Sequence, residues 1–274
     1  MSRFASTVFL VSCLLIISSV AHALVVNGGL QALFSSDIPT IDGQWTTANE
    51  WTDASETRLE NTVNMTGYLR VKHNFTCIFI LLDFATDYTR STYDIGGVCF
   101  DRLDNGGVLP QSDDYLFGIQ AGQTPAQVDV FQGTGTGQYP RDAWARVSLV
   151  DVEGKANYSH VNDPYEGSID HRIYEFQIPC KYLGAAEDYG FYVFACDYHS
   201  NSMLEWPLGA GGNWTRMQPL FNVPPSPQNW GAVTDNFIPE FPLNTFALLI
   251  VLAFSAVMLI GEEKLRLSLR AHAR

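Results

Sequence analysis

Charge is scarce in this sequence. Asp, Glu, Lys and Arg make up 16% of the 274 residues, and the basic share is the smaller, 16 Lys and Arg against 29 Asp and Glu. The resulting net charge of -13 repels phosphate, which excludes nucleic acid and anionic lipid surfaces as partners. Cysteine is sparse too, five in all, and no two stand at C-x-x-C spacing or beside a histidine, so spacing offers no zinc motif. The signatures of hydrolysis and phosphate chemistry are missing: no G-x-S-x-G, no H-E-x-x-H and no glycine-rich phosphate loop occurs. Between the chain ends the histidines are His73, His160, His171 and His199, none at metal-ligand spacing from another. What the chain does have is 46% hydrophobic and 13% aromatic residues, enough apolar surface to exclude a disordered chain.

The longest apolar runs sit at the two ends. Arg3, the run from Val8 to Val20 and the small-x-small step Ala21-His22-Ala23 read as an export signal over residues 1–23, with the mature chain starting at Leu24. Leu243 to Ile260 is uncharged and long enough to cross the ~30 Å hydrocarbon core as one helix. Lys264, Arg266, Arg270 and Arg274 follow it, which keeps the 261–274 tail in the cytoplasm and the rest outside. The expected protein is a single-pass cell-membrane protein with its N-terminal domain outside. Residues 24–242 then hold 11 basic and 27 acidic residues, so the acidity belongs to the exterior domain, where it suits divalent cations.

With Cys13 removed in the signal, Cys77, Cys99, Cys180 and Cys196 remain as disulfide candidates. Three connectivities are possible; Cys77 with Cys99 and Cys180 with Cys196 is preferred, because each pair lies on successive strand-like segments. N-x-[ST] sequons begin at Asn64, Asn74, Asn157 and Asn213, all on the exterior side.

From Leu24 to residue 234 the chain alternates short apolar runs with Gly, Asp, Asn and Pro clusters. Gly67–His73, Phe75–Phe84, Gly96–Asp101, Tyr115–Gln120, Val128–Gln132, Arg146–Val152, Arg172–Ile178 and Tyr189–Tyr198 are short and rich in β-branched or aromatic residues, hence strands. Helix punctuation occurs only near Pro179 to Gly184. The pattern predicts an all-β fold, an antiparallel β-sandwich over 24–234, followed by a stalk at 235–242 and the C-terminal transmembrane helix. Phe75–Phe84, apolar nearly throughout, reads as covered on both faces. The alternation of Ile173, Glu175 and Gln177 with Arg172, Tyr174, Phe176 and Ile178 reads as half exposed.

Two features point to chemistry. One is Ile41-Asp42-Gly43 followed by Glu50-Trp51-x-x-Ala54; the other is the strand-end carboxylates Asp83 and Asp101. Calcium takes six to eight oxygens, so Asp42, Glu50, Asp101 and neighbouring carboxylates are candidate ligands for it. These residues, together with Leu81-Leu82-Asp83, Asp94-x-x-x-Val98-x-Phe100-Asp101, Tyr174-Glu175-Phe176-Gln177-Ile178-Pro179 and Trp230-Gly231, resemble in order and spacing the family 9 carbohydrate-binding modules and their DOMON-like relatives. The resemblance covers most of Ile41 to Val233. It implies a β-sandwich that binds sugar without cleaving it, often with calcium.

In the sugar-binding members two aromatic rings clamp a terminal sugar, and the best matches here are Tyr93 and Trp206. Arg102, Asp101 and Gln138 are polar candidates, with Tyr139, Trp144 and Trp214 as further aromatics on loops; Trp45 and Trp51 are expected in the core. A competing reading is a haem-binding electron-transfer module, with axial ligands drawn from Met65, Met203, His73, His160, His171 and His199. A third is a structural envelope protein. The stalk residues Pro239-Glu240-Phe241-Pro242 resemble the C-terminal sorting signals of archaeal surface proteins. That resemblance implies a sortase-like processing enzyme as partner, or retention of the helix as a plain anchor.

Overall fold

The computed structural model describes residues 29–235, apart from 62–63, 124–126, 141, 166, 185–187 and 217. The export segment, the stalk beyond residue 235, the 243–260 span and the basic tail lie outside the described residues. Among the described residues no helix is long and apolar enough to cross a membrane.

The described residues form thirteen strands: β1 (Leu30–Phe34), β2 (Ser55–Glu60), β3 (Thr66–His73), β4 (Cys77–Phe84), β5 (Ile95–Asp101), β6 (Asp114–Gln120), β7 (Asp129–Gly133), β8 (Trp144–Val147), β9 (Glu153–Ser159), β10 (His171–Pro179), β11 (Asp188–Asp197), β12 (Ser202–Trp206) and β13 (Gly231–Asp235). The four-residue helix α1 (Cys180–Leu183) follows β10 and is closed by Gly184 at φ +81°. The strands join in the order β8-β7-β6-β5-β11-β13-β1-β3-β4-β10-β9, with β12 also on β11 and β2 also on β3. This curled sheet makes two layers, and β1 is the seam between them. Its first half pairs with β13 and its second half with β3. Both pairings are parallel, unlike the other pairs described, so the sheet departs from the antiparallel expectation where one strand serves both layers.

The period of two along each strand builds the core between the layers. Leu69, Val71, Ile78, Ile80, Leu82, Phe84, Tyr174, Phe176 and Ile178 from one layer meet Val98, Phe100, Phe117, Ile119, Phe191 and Val193 from the other. The outward faces are covered as well. Cys99, Leu116, Tyr192, Phe194 and Cys196 lie under Trp144, Ala210 and Val223, while Phe79, Leu81 and Ile173 lie under Trp45, Trp51 and Ala54. Strands buried on both sides read as continuous apolar runs, which is why β4, β5 and β11 are so apolar.

Three expectations need correction. β10 is not half exposed: all of it but Gln177 is buried, because Glu175 turns its carboxylate onto the covering loop instead of into water. The Arg146–Val152 strand is shorter, Trp144–Val147; beyond it Asp151 takes φ +63° and the Tyr182 hydroxyl binds both the N–H and the carbonyl of Val150 at 3.0 Å. The third concerns the cysteines: Cys77, Cys99 and Cys196 are free thiols, and the Cys180 thiol faces the Asn74 carbonyl at 3.9 Å. The preferred pairing is excluded by the layers, since Cys99 and Cys196 pack on the outward face of one and Cys77 on that of the other. Cys180, in α1, lies beside Pro179, which is the register partner of Cys77.

Candidate functional site

The first motif set folds into a buried clamp over the outward face of β3, β4 and β10. Gly43 and Asp42 donate their backbone N–H groups to one Glu175 oxygen at 2.7 and 2.9 Å, and the Trp51 indole donates to the other at 3.0 Å. Gly43 sits at φ +76°, and a Cβ there would come within 2.7 Å of Asn157, so the position requires glycine. Burial pushes the Glu175 pKa up to about 8, against the N–H donors, which favour the carboxylate. Beside it Lys72, fully buried, donates to the Glu50 carbonyl at 2.7 Å and to Asp53 at 2.9 Å. Arg70 reaches the Trp51 carbonyl, Tyr165 and Glu56. The I-D-G, E-W and Y-E-F segments are one interlocked unit, and Trp45 and Trp51 are buried as expected.

Asp42 and Glu50 organise their own loop: Glu50 accepts from Thr40 and Thr46 at 2.7 Å each, and Asp42 accepts from Gln44 and Thr46 at 3.1 Å. Asp101 lies apart from them, grouped with Asp113 and Asp114 at the far end of β5 and β6. Its oxygens accept the N–H groups of Leu103 and Gly106, closing the Asp104-Asn105-Gly106-Gly107 turn. Burial lifts Asp114 to about 8, with the Asp101 and Asp113 charges adding to the rise.

A second carboxylate group, Asp87, Asp94 and Asp197, closes one end of the inter-layer core, with ligand-capable oxygens all within 4.8 Å of one another and all three residues buried. Asp94 precedes β5 and accepts from Tyr198 N–H at 2.9 Å and from Arg172 at 3.0 Å. Asp197 ends β11 and accepts from His199 and Ser200. Asp87 accepts from Thr89 on one oxygen, while its other oxygen is buried with no hydrogen-bond partner. Burial, then the charges of Asp94 and Asp197, push Asp87 up to about 7. Three carboxylates against one guanidinium, with one oxygen orphaned, form a donor set that fits a calcium ion, and Asp87, Asp94 and Asp197 are the residues that would hold it.

Next to this group stands an aromatic pair, Tyr93 exposed and Tyr198 half-buried. Ile95 and Cys196 are register partners, and Tyr93 and Tyr198 continue that same outward row past the strand ends. The rings lie 4.9 Å apart at 37°, Tyr93 is 49% exposed, and the Arg216 guanidinium covers Tyr198 at 5.5 Å. The neighbouring hydroxyl, guanidinium and imidazole groups of Ser91, Thr92, Arg90 and His199 belong to the same loops.

Trp206 is elsewhere. It pairs with Val193 in mid-β11 and packs on Phe191 at 5.7 Å, so it does not clamp opposite Tyr93. Tyr139, Trp144 and Trp214 join the outward cluster of β5, β6 and β11; the Tyr139 hydroxyl is spent on the Pro224 carbonyl. Gln138 is exposed on the β7–β8 loop, and Arg102 donates to the Leu183 carbonyl at 3.1 Å. Of the six candidate haem ligands, His171 contacts Asp83 and Asp163, His160 contacts Asp170, Met65 lies in the main core and Met203 packs against the outward cluster. His73 is buried on β3 and His199 is exposed after β11. A cleft of about 570 Å³ opens between the β7–β8 and β9 edges, lined by Val128, Val130, Arg146, Val147, Leu149 and other described residues, none of them aromatic. It offers no ring on which a sugar could stack.

No protein-family model matches the sequence, and no curated protein matches it. Among solved structures the chain is similar to a carbohydrate-binding module of family 9 from Caldicellulosiruptor kristjanssonii in complex with cellotriose, with TM-score 0.45 and 11% identity over 75% of this chain and 92% of that one. It is likewise similar to a module of the same family and organism in complex with glucose, with TM-score 0.44 and 11% identity over 76% and 95%.

Proposed function

We propose that this chain is an exported, membrane-anchored carbohydrate-binding module with no catalytic activity of its own. The observation that carries the reading is Tyr93, an aromatic ring half exposed at the sandwich end, flanked by Tyr198 and Arg216 and rooted on the buried Asp94. The apolar C–H face of a pyranose packs on such a ring, and its hydroxyls need charged and amide groups in the rim. Bound calcium would supply charge neutralisation. Asp87, Asp94 and Asp197 come from three places in the chain, so gathering them fixes Tyr93 and Tyr198 before the sugar arrives, which lowers the entropy cost of binding.

Screening the full chain on a glycan array at millimolar calcium tests this. Retention on a defined glycan class, lost in Tyr93→Ala, is the expected result; a folded chain that no glycan retains refutes the proposal.

A further inference from the structure

We propose that Asp83, Asp163 and His171 form a buried site for a divalent transition-metal ion of the zinc type. The three side chains come from separate elements, the end of β4, the β9–β10 loop and the start of β10, and none is exposed at its side-chain atoms. His171 Nε2 lies 2.8 Å from Asp83 Oδ1 and 2.6 Å from Asp163 Oδ2. Yet all three of these atoms lack a hydrogen-bond partner of proper geometry.

The atoms facing away from this centre are all engaged. His171 Nδ1 is 2.9 Å from the Ile169 carbonyl, which only accepts, so Nδ1 carries the proton and Nε2 is left as the free donor atom. Asp83 Oδ2 accepts from the Trp45 indole at 3.4 Å, and Asp163 Oδ1 accepts from Tyr165 N–H at 2.8 Å. Outer atoms held and inner atoms orphaned is the arrangement that orients metal ligands.

Charge gives the same answer. One proton on Nε2 cannot satisfy two carboxylates, and it leaves a net negative charge under the Trp45 cover, where an uncompensated charge is costly. A divalent ion on a neutral imidazole and two carboxylates leaves none. The imidazole nitrogen selects zinc or a similar ion over calcium, whose ligands are oxygens. Such an ion would tie the β9–β10 loop to β4 and β10, a structural role independent of sugar binding.

The test uses the full chain stripped with chelator, then titrated with zinc and, separately, with cobalt. The expected results are uptake of one zinc per chain, a higher melting midpoint by mass action, and the visible d–d absorption of a cobalt ion with a nitrogen and carboxylate oxygens. Asp163→Asn, a loop change, lowers zinc affinity by about 100-fold or more, and Asp142→Asn, an exposed carboxylate outside the site, leaves it unchanged. The cobalt spectrum needs no variant and decides the matter should Asp163→Asn fail to fold. No zinc uptake and no cobalt band, or one zinc held equally well by folded Asp163→Asn, overturns the proposal; a protonated triad then fills this space.

Discussion

Replacing Glu175 by glutamine tests how the buried clamp depends on one carboxylate. Burial raises its pKa from 4.5 to about 8. Between those values the folded chain holds a proton that the unfolded chain has released, so this group's contribution to stability falls as pH rises from about 4.5 to about 8. The slope is at most about 1.4 kcal/mol per pH unit, with a ceiling of about 5 kcal/mol over the whole span. Glutamine cannot titrate and has one acceptor oxygen for three donors. If that oxygen keeps Asp42 and Gly43, its amide faces the Trp51 indole N–H, donor against donor, at about 1–3 kcal/mol. In chelator, denaturant unfolding at pH 5, 6, 7 and 8 should therefore show Glu175→Gln below wild type at pH 5 and the gap closing toward pH 8. Subtracting the two profiles removes the contributions of the other buried acids. A difference that stays flat, or widens with pH, refutes the reasoning.

Other outcomes follow from the same geometry. Gly43→Ala combines positive φ with a 2.7 Å approach to Asn157 and should cost about 2 kcal/mol or more, read as a lower denaturant midpoint with unchanged slope. If Asp87, Asp94 and Asp197 hold calcium, chelator lowers the melting midpoint of wild type but not of Asp87→Asn; equal shifts in both place the ion elsewhere. For the chain ends, protease added to intact cells should degrade the exterior domain and spare a tag placed after Arg274, whereas protection of that domain until lysis contradicts export.

The sequence made β4, β5, β6 and β11 legible because strands covered on both faces leave continuous apolar runs. β2 and β9 were not, since Ser55–Glu60 and Glu153–Ser159 carry polar residues at an edge and along an exposed face, where apolar periodicity fades. The clamp residues stood out as motifs, but pattern alone could not tell calcium ligands from carboxylates spent on N–H groups. Glu175, the residue around which Asp42, Gly43 and Trp51 gather, lies more than 120 positions away from them. Asp94 and Tyr93 were visible in the sequence. Tyr198, directly after Asp197, carries no such signal, because only the β5–β11 register places it, and not Trp206, beside Tyr93. His171 had no ligand-like neighbour in sequence, and its carboxylates arrive from β4 and from a loop.

The central claim, a sugar held on the Tyr93 ring, is tested most directly by calorimetric titration of the full chain with the glycan that retains it, comparing Tyr93→Ala with Trp206→Phe. The account predicts that Tyr93→Ala weakens binding by about tenfold or more while Trp206→Phe leaves the affinity unchanged. Undiminished affinity in a folded Tyr93→Ala chain, or loss in Trp206→Phe alone, contradicts it.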